Sequence, residues 1–115
     1  MREDGLKTSS YYILLALASG DLHGQAIARE VQALSDSRVR LWPAMLYGAL
    51  EDLSDRGWIE ELDERAGRPA DQSERRRYYR ITRAGRGAAA AETRRLAELV
   101  RVARSRIKPR AGESS

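Results

Sequence analysis

Six arginines lie between positions 75 and 86 (Arg75, Arg76, Arg77, Arg80, Arg83 and Arg86), with no acid among them. Guanidinium groups make planar, forked contacts with phosphate oxygens, and a run of them suits the backbone of a nucleic acid. Arg38 and Arg40 form a second, smaller group just before Leu41-Trp42-Pro43. The chemistry of catalysis, by contrast, lacks its residues. There is no cysteine and a single histidine, His23. Thiolate nucleophiles, disulfides, thiolate metal sites and histidine-rich zinc sites are thereby excluded. No nucleophile elbow or phosphate-cradling glycine pattern occurs, and Gly85-Arg86-Gly87 is too short for one. The chain reads as a non-enzyme that needs no cofactor or metal.

The elements that must position those arginines follow from periodicity and punctuation. Tyr11 to Ala18 is apolar almost all round and reads as a helix lying between other elements. Thr8, Ser9 and Ser10 offer capping hydroxyls before it. A second helix starts near His23 or Gly24 and runs to about Leu34, with Ile27, Val31 and Leu34 as its apolar stripe. A polar turn over residues 35–40 leads to a third helix, from about Pro43 to Asp55. Proline suits its first position, Leu46, Leu50 and Leu53 form its stripe, and Gly57 is placed to close it. Trp58–Leu62 and Arg77–Thr82 read as two strands, joined by a polar tip over residues 63–74, in a β-hairpin. Thr82 caps a last helix reaching about Ile107.

This order predicts a mainly α fold with a small β-hairpin: a winged helix-turn-helix followed by a long C-terminal helix. The expected organisation is a flexible arm over residues 1–7, a winged helix-turn-helix domain over 8–82, a dimerisation helix over 83–107 and a disordered tail over 108–115. In the last helix Leu96, Leu99, Val100, Ala103 and Ile107 share one stripe, and little chain remains to cover it. A symmetric dimer would bury that stripe twice. Tyr11, Tyr12 and Leu15 of the first helix are expected to join the same interface.

Three motifs stand in order: His23-Gly24-Gln25-Ala26-Ile27; Leu46-Tyr47-Gly48-Ala49-Leu50-Glu51-Asp52-Leu53 followed by Gly57-Trp58-Ile59; and Arg77-Tyr78-Tyr79-Arg80-Ile81-Thr82-Arg83-Ala84-Gly85. Together they resemble the PadR family of bacterial transcriptional regulators, over roughly residues 10–107, and its short subgroup with a single terminal helix. The resemblance implies a dimer that binds double-stranded operator DNA, usually as a repressor, with the third helix in the major groove and the hairpin wing along the backbone. It also implies response to a small aromatic or drug-like ligand, bound near the dimer interface. One departure stands at Ala44-Met45, where the family often has Gly-Thr.

The third helix agrees with that role. Its leucine stripe can dock it, while Ala44 and Gly48 keep the opposite face slim for a groove about 12 Å wide. Tyr47 offers a hydroxyl to phosphate and Met45 a contact to a thymine methyl. No arginine, asparagine or glutamine is placed there for two-pronged base reading, so DNA shape is expected to carry part of the specificity. The expected DNA-contacting set is Arg38, Arg40, Ala44, Met45, Tyr47, Gly48, Arg75, Arg76, Arg77 and Arg80. The thin base-reading set leaves an alternative, a winged-helix module that meets proteins instead of specific DNA.

Composition sets the remaining bounds. The 115 residues suit one domain. Of 21 basic residues only Lys7 and Lys108 are lysine, and the net charge is +4. Such an excess is compatible with a nucleic-acid partner, although arginine usage also follows genome composition. The run Tyr11–Ala18 is far short of the roughly 20 residues of a membrane span, and no signal-peptide pattern precedes it, so a cytoplasmic protein is expected. Simpler roles are expected for several residues: His23 at a helix start, one of Tyr78 and Tyr79 in the core, Trp42 and Trp58 in packing or an effector pocket, and Arg94, Arg95, Arg101 and Arg104 on a solvated face.

Overall fold

The structure, a computed structural model, describes residues 6–62 and 77–108. The elements run α1 (Thr8–Ala18), β1 (Leu22–His23), α2 (Gly24–Leu34), α3 (Pro43–Asp55), β2 (Ile59–Leu62), β3 (Tyr78–Ile81) and α4 (Arg83–Ile107). The architecture is mainly helical with a small antiparallel sheet, as expected. The core gathers Ile13, Leu14 and Leu17 of α1, Ile27 and Val31 of α2, and Leu46, Leu50 and Leu53 of α3. Ile59, Tyr79, Ile81 and Ala89 close it. Helix α1 packs against α2, α3, α4 and β3, which is why it tolerates apolar residues on nearly every side.

Helix ends follow local chemistry. His23 is the N-cap of α2, its Nδ1 accepting from the Ala26 amide at 3.3 Å; this is the structural role expected of it. Thr82 caps α4, its Oγ1 accepting from the Gly85 amide at 3.0 Å. Gly57 ends α3 with φ 78°. The Gly57 amide donates to Ser54 O, and the Trp58 amide to Leu53 O, both at 3.0 Å. This is a Schellman closure. Helix α2 closes in the same way with Asp36 in the left-handed region at φ 58°, the Asp36 amide donating to Ala33 O and the Ser37 amide to Gln32 O.

Three expectations are corrected. Helix α1 begins one turn early, at Thr8, and its N-cap is Lys7 with no side-chain cap bond; no hydroxyl of residues 8–10 caps it, because all three lie within the helix. The hairpin has a third partner: β1 pairs with β3, giving the order β1-β3-β2. Two residues carry no readable alternation, and the Leu22–Tyr79 register creates this strand. Leu34 is 46% exposed, since it ends α2 beyond the reach of the core. Of the paired tyrosines, Tyr79 is buried and Tyr78 half-buried, with the His23 ring edge-on at 5.6 Å.

Candidate nucleic-acid interface

The link between α2 and α3 is a folded connection rather than a loose one. Ser35 is buried, and its Oγ accepts from the Val39 amide at 2.9 Å. That bond, with the left-handed Asp36 and Ser37, turns the chain so that Arg38 and Arg40 stand exposed before α3. Neither arginine has an ion pair or side-chain hydrogen bond among the described residues.

Pro43 at the first position starts α3. With Leu46, Leu50 and Leu53 buried, the rest of the helix start presents Met45 (53% exposed) and Tyr47 (48%), and the N-cap Trp42 before it is 61% exposed. Ala44 and Gly48 are exposed between them, and a Cβ built at Gly48 would meet nothing within 4 Å. The structure thus brings Ala44, Met45, Tyr47 and Gly48 onto one open face. Trp42 is exposed just before that face, as the N-cap of the helix. Its position before Pro43 pointed to a helix start, but its sequence neighbours carry no mark of its exposure.

Tyr47 leans back over the start of α2. A Cβ at Gly24 would lie 2.7 Å from the Tyr47 hydroxyl and 3.2 Å from Cζ. Gly24 therefore leaves the room in which this ring rests.

The wing arginines are placed differently from those of the α2–α3 link. Arg80 donates from Nε and Nη2 to the two carboxylate oxygens of Asp21, at 3.2 and 2.9 Å. Glu60 lies opposite Arg80 in the β2–β3 register. The hydrogen bonds and charge of Asp21, helped by Glu60, hold the Arg80 guanidinium charged more firmly than usual. Arg77 stands 3.5 Å from Glu61. Arg86 donates to the Ala18 carbonyl at 3.0 Å, completing the end of α1. Arg75, Arg76 and the tip over residues 63–74 lie outside the described residues. The acids Asp21 and Glu61 were not singled out in the sequence; for Glu61 the strand pairing was the available signal, whereas Asp21 is 59 positions from its partner.

The residues expected at a dimer interface divide. Tyr11 Oη and Thr93 Oγ1 share a hydrogen bond of 2.7 Å, joining α1 to α4 within one chain. Tyr12, Leu15, Leu96 and Ala103 are half-buried. Leu99 and Val100 are about half exposed and Ile107 is 76% exposed. Elsewhere on α4, Arg101 pairs with Glu98 at 2.6 Å with both side chains exposed, while Arg95 pairs at 2.6 Å with Glu92, whose side chain is only 12% exposed. The Arg101–Glu98 pair fits a solvated face held by neighbours one turn apart. Among the described residues, no group of acids and histidines could hold a metal, and no helix is long and apolar enough to cross a membrane.

A family model described as "Transcriptional regulator PadR-like family" matches residues 13–91. The chain belongs to the PadR-like family of transcriptional regulators. The match runs from the core of α1 through the wing into α4, so it takes in both arginine groups and the whole of α3. No curated protein matches in sequence. Among solved structures, this PadR-like chain resembles a PadR family regulator from Clostridium difficile at TM-score 0.72 and 20% identity, covering 88% of this chain and 99% of that one. A transcriptional regulator from Clostridium thermocellum gives TM-score 0.70 at 24% identity, with coverages of 87% and 90%. Bacillus subtilis PadR, solved in complex with operator DNA, gives TM-score 0.61 at 21% identity, over 76% of this chain and 47% of that one. At these identities the likeness is one of fold: a PadR winged helix with a long C-terminal helix.

Proposed function

We propose that this PadR-like regulator binds double-stranded operator DNA as a homodimer and acts there as a repressor. The observation that carries the reading is the open face of α3. Ala44, Met45, Tyr47 and Gly48 stand clear of a helix that three buried leucines anchor, with two arginines before its start that have no partner among the described residues. In this reading α3 enters the major groove, Met45 meets thymine methyls, and the Tyr47 hydroxyl and Arg38 and Arg40 meet phosphate. Arg75, Arg76, Arg77 and Arg80 follow the backbone from the wing. The complex of Bacillus subtilis PadR with operator DNA supports DNA as the partner.

Dimerisation is supported by the stripe of Leu99, Val100 and Ile107, which the described residues leave about half exposed or more, with Leu96 and Ala103 continuing it. Tyr12 and Leu15 extend the apolar surface from α1, and Tyr11 adds its ring beside them. Two copies of α3 about 34 Å apart would read a pseudo-palindrome. A small aromatic or drug-like ligand wedged at that interface would change the angle between the α4 helices and release the operator. A cytoplasmic location accords with this role.

The test is salt-dependent binding to the DNA upstream of the protein's own gene, against a scrambled duplex of equal length, with sedimentation of the free protein alongside. Preferential binding with a steep salt slope, by a species of twice the chain mass, is expected. Binding that is weak and equal on both duplexes, together with a protein captured at α3, would favour an interaction module instead. The apolar cast of Trp42 and Met45 is the observation that favours that second reading.

A further inference from the structure

Away from the DNA-facing surface, a cleft of about 100 Å³ lies between the start of α1 and the end of α3. Leu6, Lys7, Ser10, Asp52, Leu53, Arg56 and Trp58 line it. Three features converge there. Helix α1 starts without a side-chain cap, and the Tyr11 amide makes the first bond back, to Lys7 O at 2.9 Å. Among the described residues nothing bonds the amide of Ser10, the one of residues 8–10 that lines the cleft, and it stands at the positive end of the helix dipole. Independently, Ser10 lines the cleft at 5% exposure, and its hydroxyl has no hydrogen-bond partner among the described residues. A buried hydroxyl without a partner is an exception that calls for one. Finally, the lining charges do not cancel. Arg56 is engaged by Asp52 at 3.0 Å, and its guanidinium lies over the Trp58 ring at 5.1 Å, which leaves Lys7 as a cation in excess. Leu6, Leu53 and Trp58 add apolar wall.

We infer that this cleft binds a small aliphatic carboxylate of two to four carbons. The carboxylate oxygens accept from the hydroxyl and the amide of Ser10, Lys7 balances the charge, and the short carbon chain lies against Leu53 and Trp58. Size decides the class. An enclosed cavity of about 150 Å³ accommodates benzene, and this open cleft of about 100 Å³ is smaller, which favours a short chain over an aromatic acid. The site stands on the last turn of α3 and at the entry to β2, so its occupant touches the ends of both proposed DNA-contacting elements. The inference stands apart from the DNA reading and is tested on the free protein.

Titration of acetate, propionate and butyrate, at constant ionic strength with chloride, is followed by Trp58 fluorescence in a Trp42→Phe background. Backbone amide shifts of residues 8–10 are followed by NMR in the same series. A saturating change with a midpoint of roughly 0.1 to 10 mM is expected for ligands of so few atoms. It should weaken at least tenfold in Ser10→Ala and be absent with benzoate. A linear, unsaturated response, an equal response to chloride, or an unchanged midpoint in Ser10→Ala would overturn the assignment. The amide spectrum of Ser10→Ala reports its fold, and Lys7→Gln, an exposed change, gives a second variant expected to weaken binding at least threefold.

Discussion

The Tyr47 ring rests over Gly24, with its hydroxyl 2.7 Å from where a Cβ would be. The side chain that would meet phosphate is thereby seated by the first residue of the preceding helix. Gly24→Ala should push the ring outward. The clash is with the far end of a half-exposed side chain, so the ring can give way, and alanine also favours the helix over glycine. Stability in urea should change by less than about 1 kcal/mol. DNA affinity should fall about fivefold to tenfold, the worth of one hydrogen bond, and Tyr47→Phe should fall by the same factor. A loss in Gly24→Ala that persists when added to Tyr47→Phe would show that the glycine acts by another route.

Gly85 makes the opposite case. A Cβ there would stand 2.0 Å from the Trp58 carbonyl oxygen and 2.9 Å from Ile81 Cγ1. That oxygen is backbone and already accepts from the Thr82 amide at 3.0 Å. Neither side can yield without parting α4 from the sheet. Gly85→Ala should therefore destabilise by about 3 kcal/mol or more, read from thermal or urea unfolding. A loss below about 1 kcal/mol would mean that the start of α4 moves freely.

The two glycines show what could be read from sequence. His23, Pro43, Gly57 and Thr82 act within a turn of their own positions, so the starts of α2, α3 and α4 and the end of α3 were legible. The buried leucines of α3 were legible too, since 3.6-residue periodicity is a local property. The first turn of α1 was not, because Thr8, Ser9 and Ser10 look like a cap and only packing makes Ser10 a buried helical residue. Strand β1 owes its existence to β3, more than 50 positions away. On α3, the exposure of Ala44, Met45, Tyr47 and Gly48 was legible from the spacing of the buried leucines. The seat of Tyr47 on Gly24 and the acid on Arg80 were not, for each pairs side chains that only the tertiary fold brings together.

Tyr79 gives the fold a predictable response to alkali. It is buried, and burial pushes its phenol above the ordinary value near 10, with the Glu61 charge adding to the rise and Arg77 opposing it. Above pH about 10 the unfolded chain loses this proton while the folded chain keeps it. Stability supplied by the neutral phenol is thus complete below that pH and declines as pH rises toward the folded-state value. Comparing urea unfolding of the wild type and Tyr79→Phe from pH 8 to 11 should show a steeper alkaline decline in the wild type. Parallel curves would mean that the phenol titrates alike in both states.

Asp21 and Arg80 make the most direct test of the wing. The bidentate pair occupies Nε and one N–H of Nη2, so a phosphate arriving at Arg80 must share the guanidinium with a carboxylate. The pair is exposed on both sides, where such bonds contribute little to stability. Asp21→Asn should leave unfolding nearly unchanged and release the guanidinium for phosphate. If Arg80 meets DNA, affinity should rise several-fold in Asp21→Asn. Arg80→Ala should lower it on every sequence and flatten the salt slope by about one unit per lost contact. Glu98→Gln on α4 is the charge-matched control, since it removes one acid paired to Arg101 away from the wing. Equal gains in Asp21→Asn and Glu98→Gln would reduce the effect to net charge. A gain confined to Asp21→Asn, abolished by adding Arg80→Ala, would place a phosphate at the wing root.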